Sequence, residues 1–149
     1  MDTTQIPLPI KKLTAEAVIP HAAYAGDAGI DLRASAPLTL QPFERALIPT
    51  GLAVAIPHGY AGFVLPRSGS AIKHGLSLVN TPGLIDSGYR GELKCIAINL
   101  DPHTPINIQV GDRIAQLVIM KVESPTIIET DELDETERGT GGFGSSGLN

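Results

Sequence analysis

The chain has 149 residues, enough for one hydrophobic core but not for two domains. A formal net charge of −5 excludes the broad basic surface that nucleic acid needs, but leaves room for a local cluster of donors around a small anion. With 16 glycines, 12 prolines and only 4% aromatic residues, turn formers separate short runs of Val, Ile and Leu, which is the composition of an all-β domain.

The first residues carry no basic flank followed by an apolar core, and no apolar run reaches about 18 residues. The expected setting is therefore the cytoplasm, with no membrane segment, and the single Cys95 fits a reducing compartment. Residues 6–13 read as a first strand whose two prolines suit a sheet edge. A turn at Gly26 to Gly29 feeds a strand over residues 30–34, where Ile30 and Leu32 take one face and Asp31 and Arg33 the other. On pattern alone, Asp31 is a solvated strand residue paired with a neighbour. Residues 46–48 and 52–56 read as two short strands broken at Pro49 to Gly51, and residues 60–65 as another. Strands about ten residues apart with turns between them predict a sandwich, barrel or jelly roll.

One short helix is expected over residues 68–74, capped by Ser68 or Ser70 and stopped by Gly75. Its first amides lack partners and its start is positive, so Arg67 beside it makes an anion site as readily as an ordinary capped helix with a surface arginine. Residues 80–94 read N-T-P-G-L-I-D-S-G-Y-R-G-E-L-K between two apolar runs and predict a hairpin with Asp86 and Tyr89 in its turn. A lone Asp-Ser-Gly in a turn ordinarily bonds its own backbone. The runs 93–100 and 114–122 are apolar on both faces and read as strands buried on both sides, in the sandwich interior or against another subunit. Gln116 interrupts the second and needs a partner, with a backbone group the simplest. Asp112 and Arg113 form a turn pair on the same reading.

From Glu123 the composition changes to an acidic connector. Residues 138–149 contain five glycines and cannot form a core, so composition makes them a flexible tail. Yet Arg138, Phe143, Ser145 and Ser146 place one cation, one ring and two hydroxyls on that thread, a set suited to a lid over a base and phosphates. The chain divides into a β domain over residues 1–137 and an arm over 138–149. The four histidines stand at no metal-ligand spacing, and zinc-deaminase, P-loop and serine-nucleophile motifs are missing from the sequence.

Five segments stand in the order of the five motifs of trimeric dUTP diphosphatases (dUTPases): A-G-D-A-G-I-D-L-R-A (25–34), P-R-S-G-S-A (66–71), the hairpin (80–94), G-D-R-I-A-Q-L (111–117) and R-G-T-G-G-F-G-S-S-G (138–147). The chain resembles that family over nearly its whole length. The resemblance implies a homotrimeric, jelly-roll-like enzyme that hydrolyses dUTP to dUMP and pyrophosphate with Mg²⁺. This would keep uracil out of DNA and supply dUMP for thymidylate. It implies sites built from three chains, with Asp86 as general base for the attacking water. Arg67, Ser68, Gly69, Gln116, Arg138, Ser145 and Ser146 would hold phosphates. Asn80, Leu84, Ile85 and Lys94 would lie by uracil and sugar, Tyr89 on the deoxyribose, and Phe143 on the base. Asp31 would reach the metal through water, with no direct protein ligand. Gly88 and Thr140 depart from residues common in the family. Ile96 stands where the related dCTP deaminases carry a glutamate, which argues against deamination.

Overall fold

The computed structural model describes residues 5–147, so residues 1–4 and 148–149, the outer ends of the expected domain and arm, lie outside the described residues. Ten strands and one helix follow the chain: β1 (Ile10–Lys12), β2 (Ile30–Arg33), β3 (Leu38–Leu40), β4 (Arg45–Val54), β5 (Tyr60–Leu65), α1 (Ser68–His74), β6 (Leu76–Leu78), β7 (Gly83–Ile85), β8 (Glu92–Asn99), β9 (Ile106–Ile108) and β10 (Arg113–Lys121). They form two antiparallel four-stranded sheets, in the orders β1-β4-β8-β6 and β2-β10-β5-β7, with β3 and β9 as a separate pair. This is an all-β, jelly-roll-like sandwich with one short helix. As the prolines implied, β1 is an edge strand, although only residues 10–12 pair. The short β3 and β9 were not evident in the sequence.

Inward-facing Leu32, Ile48, Leu52, Val64, Leu93, Cys95, Ala97, Ile114 and Leu117 form the core. Each fully buried leucine or isoleucine contributes about 1.5–3 kcal/mol of transfer free energy. Two buried polar residues join it. Asn99 donates through Nδ2 to the Leu40 and Thr104 carbonyls, at 3.1 and 2.9 Å, and accepts the Asp101 N–H on Oδ1 at 2.8 Å. It thereby ties the loop after β8 to β3.

Thr50 corrects one expectation. The segment around Pro49 does not end a strand but forms a bulge within the continuous β4, where the pairing with β8 shifts from Pro49↔Lys94 to Ala53↔Glu92. The Thr50 hydroxyl donates to the Leu93 carbonyl at 2.6 Å and accepts the Leu52 N–H at 3.2 Å, standing in for lost ladder bonds. Gly51 takes φ +68°, and a Cβ there would lie 2.9 Å from that of Ala17.

Two more expectations are corrected. Arg67, extended at φ −96° and ψ 131°, occupies the N-cap of α1 without a side-chain cap bond; Ser68 and Ser70 already lie inside the helix. Gly75 ends the helix in the left-handed region as expected. In addition, β8 is buried on only one face in the single chain, so of the two expected coverings the sandwich interior does not apply to its outer face. Leu93, Cys95, Ala97 and Asn99 point into the core, while Lys94 is exposed and Ile96 and Ile98 are half-buried. The outer end of β10 likewise leaves Met120 exposed. One chain supplies only one packing layer, so the period-2 alternation of a half-covered sheet survives under an apolar sequence.

Candidate active site

The first constellation grows from the sheet β2-β10-β5-β7. Its register sets Gln116 opposite Asp31 on one side and Leu65 on the other, and Arg67 follows where β5 ends. Asp31, placed outward by the alternation that buries Leu32, accepts from Arg67 Nε at 2.9 Å on Oδ1. Its other oxygen lies 3.5 Å from Arg113 Nε. Asp112 does not pair with Arg113; it accepts the Gln109 N–H at 2.8 Å, closing the turn before β10. Gln116 donates through Nε2 to the Pro66 carbonyl at 2.9 Å, so its amide finds a backbone partner and anchors the chain at the start of the motif. A Cβ at Gly29 would collide with Gln116 Oε1, so that glycine makes room for the amide.

Asp31, Arg67, Arg113 and Gln116, with Ser68, Gly69 and Tyr24, line a cavity of about 420 Å³. Two guanidinium groups against the paired carboxylate, beside the uncapped start of α1, make a groove that suits a polyanion. Among the described residues no three His, Cys, Asp or Glu side chains cluster as a metal site.

The hairpin builds the second constellation. Its arms β6 and β8 pair in one sheet, but β7 crosses to the other and pairs with β5, Gly83 facing Val64 and Ile85 facing Gly62. Asp86 follows directly. The turn closes with the Tyr89 N–H donating to the Asp86 carbonyl at 3.1 Å and the Tyr89 hydroxyl to the Glu92 carbonyl at 2.9 Å. The ring folds over Gly91, where a Cβ would meet the tyrosine hydroxyl. Arg90 braces the turn from Nη1 to the Ser87 and Tyr89 carbonyls, at 2.6 and 2.9 Å. Asn80, Leu84, Ile85, Asp86, Tyr89 and Lys94 line a cavity of about 440 Å³, with Leu47 and Ile96 on its wall. The Asp86 carboxylate is exposed, while the buried Glu92 Oε2 has no hydrogen-bond partner among the described residues.

Among the described residues none lines both cavities. The antiparallel register explains why: Asp86 lies toward the beginning of β5 and Arg67 beyond its end, and the stretch from Gly62 to Arg67 spans up to about 16 Å at ~3.3 Å per residue. Of the arm residues, Arg138 donates through Nε to the Gly141 carbonyl at 2.8 Å, and Phe143 stands fully exposed at φ 51°. Arg138, Phe143, Ser145 and Ser146 line neither cavity. The sequence reading missed the approach of Arg113 to Asp31 and the place of Leu47 in the hairpin pocket. For Leu47 the signal was present, because it alternates with inward Ile48 and so had to face out.

The chain matches the dUTPase family over residues 15–147. It is 54% identical over 138 residues to the deoxyuridine 5'-triphosphate nucleotidohydrolase of Rhodococcus erythropolis, covering 93% of this chain and 84% of that one. The enzyme of the same name from Nocardia farcinica is 52% identical over 141 residues, covering 95% and 86%. Among solved structures, the dUTPase of Staphylococcus bacteriophage 80alpha with dUpNHpp has a TM-score of 0.89 at 32% identity, covering 97% of this chain and 100% of that one. A mutant dUTPase from phage phi11 of S. aureus, whose structure details the coordination of a structural Mg(II) ion, has a TM-score of 0.79 at 29% identity, covering 85% and 98%. The match over most of the chain, together with relatives above half identity, identifies this protein as a member of the dUTPase family.

Proposed function

We propose that the protein hydrolyses dUTP to dUMP and pyrophosphate in the cytoplasm, with Mg²⁺, at sites shared between the chains of a homotrimer. The observation that carries this reading is the separation of an arginine-lined groove from a carboxylate-bearing hairpin pocket on one chain. Each cavity is half of a nucleotide site, so a second copy completes it. The outward apolar face with Leu47 and Val79, 58% and 52% exposed, supports such packing.

In this mechanism Arg67, Ser68, Gly69 and Gln116 of one chain hold the phosphates. Asn80, the backbone of Leu84 and Ile85, and Lys94 of a second chain receive the uracil and sugar. Tyr89, held over Gly91 by its bond to Glu92, presses on the deoxyribose, where a 2'-hydroxyl would clash. Asp86 orients a water and takes its proton as the water oxygen bonds to the α-phosphorus and the bond to the bridging oxygen breaks, releasing pyrophosphate. The arm of a third chain closes the site, Phe143 on the base and Arg138, Ser145 and Ser146 on the phosphates.

Both oxygens of Asp31 already face guanidinium groups, so this carboxylate fits an outer-shell contact through water rather than direct metal ligation. When bound by the phosphates, Mg²⁺ supplies charge neutralisation. The products fit two roles, removal of a uracil nucleotide from the DNA precursor pool and provision of dUMP for thymidylate.

The test is pyrophosphate release from dUTP, dTTP, dCTP and UTP, with and without Mg²⁺, with ammonia assayed in the dCTP reaction. Release from dUTP alone, dependent on magnesium, is expected. Ammonia from dCTP, or no turnover of any nucleotide, would overturn the reading.

A further inference from the structure

A third cavity, about 590 Å³ and larger than either half-site, opens on the other side of Arg67 and Arg113. Those two arginines line both it and the phosphate groove, so the two spaces share a wall. Beyond them the cavity is lined by Arg33, Ser70, His74 and Asn107, over an apolar floor of Leu76, Ile106 and Ile108.

Its polar groups are mostly donors. Arg33 and Arg113 face one another across β2 and β10, an arrangement of like charges that costs stability unless an anion lies between them. Asp31 lies 3.5 Å from Arg113, whereas Arg33, half-buried, has only the Gly111 carbonyl, at 2.8 Å from Nη1, and no carboxylate within 4.0 Å among the described residues. The remaining guanidinium N–H groups of Arg33 have no hydrogen-bond acceptor among the described residues. Asn107 accepts the Thr39 hydroxyl on Oδ1 at 2.9 Å, which leaves its amide hydrogens as donors. The one carboxylate in the wall, Asp112, already accepts the Gln109 N–H. Donors gathered beside apolar side chains favour a small oxyanion, because hydrogen bonds to a charged acceptor are the strong ones.

We propose that this cavity is a second oxyanion site, taking inorganic pyrophosphate through Arg33, Asn107, Ser70 and His74. That its pyrophosphate is the one released next door rests on the proposed dUTP hydrolysis; the binding does not. The shared arginine wall gives the leaving product a cationic path away from the groove.

The experiment is calorimetric titration of the full chain with inorganic pyrophosphate, in wild type, Arg33→Ala and Asn107→Asp, beside initial rates of dUTP hydrolysis. Asn107→Asp keeps the acceptor for Thr39 and replaces the donor amide with a carboxylate, so it tests the site if Arg33→Ala fails to fold. Each variant is expected to weaken pyrophosphate binding roughly ten-fold or more, the size of a lost hydrogen bond to a charged group, while initial dUTP rates stay within about two-fold. Pyrophosphate affinity unchanged in the folded variants overturns the site, whatever the turnover. Affinity that falls in the variants of a protein that does not hydrolyse dUTP supports the site and removes the proposed reaction.

Discussion

Asp31 Oδ1 accepts from Arg67 Nε at 2.9 Å, a bond that joins β2 to the residue at the N-cap position of α1. The carboxylate fixes the direction of the guanidinium, so in the proposed mechanism the fork would meet phosphate already oriented. Asp31→Asn is expected to raise KM for dUTP about ten-fold, with kcat changed less, because in the proposed mechanism a contact with bound substrate is weakened and Asp86, the proposed base, is untouched. The pair is partly exposed, so the fold should lose no more than about 1 kcal/mol. Steady-state kinetics check this, and an unchanged KM would show that Arg67 needs no such support.

Asp86 stands exposed at the end of β7. Asp86→Asn keeps the shape of the turn, since the bond that closes it uses the Asp86 backbone carbonyl. Nucleotide affinity should persist while turnover falls about 10²- to 10⁴-fold, the range of a general-base contribution. Equilibrium binding of dUpNHpp beside single-turnover hydrolysis separates the two, and near-wild-type turnover would remove Asp86 from the role.

Among the described residues the arm from Arg138 contributes nothing to the core, and Phe143 presents its whole ring to solvent. Deleting residues 138–149 should leave melting temperature and oligomeric size unchanged and lower kcat/KM about 10²-fold through loss of closure. Full activity of the truncated chain would make the arm a tail.

Cys95 is 2% exposed on the inner face of β8, and burial pushes its thiol up to about 12 from an ordinary value near 9. Between those values the unfolded chain gives up the proton while the folded chain keeps it. The contribution of Cys95 to stability is therefore complete below about pH 9 and is lost as pH rises toward 12. Cys95→Ala should lower stability at pH 8, by about 1–2 kcal/mol for a small cavity, and show a shallower further loss than wild type between pH 9 and 11. Chemical denaturation at several pH values reads both, and parallel pH profiles would contradict the burial effect.

Strand alternation, turn residues and the Ser68–His74 helix were legible locally, because side-chain period and backbone preference act over a few residues. So was the membership of Asp31, Arg67, Asp86 and Tyr89 in recurring motifs, which are contiguous in the chain. The continuity of β4 was not legible: it depends on the Thr50 hydroxyl reaching the Leu93 carbonyl, a partner on another strand. Nor could local pattern place Asp31 against Arg67, or Asp86 and Arg67 toward opposite ends of β5, since each follows from register between strands distant in sequence. Apolar runs declare that burial is needed without saying what supplies it. The half-exposed outer face of β8 remains because one chain covers only one side of its sheet, and pairing and packing are properties of distant segments brought together by the fold.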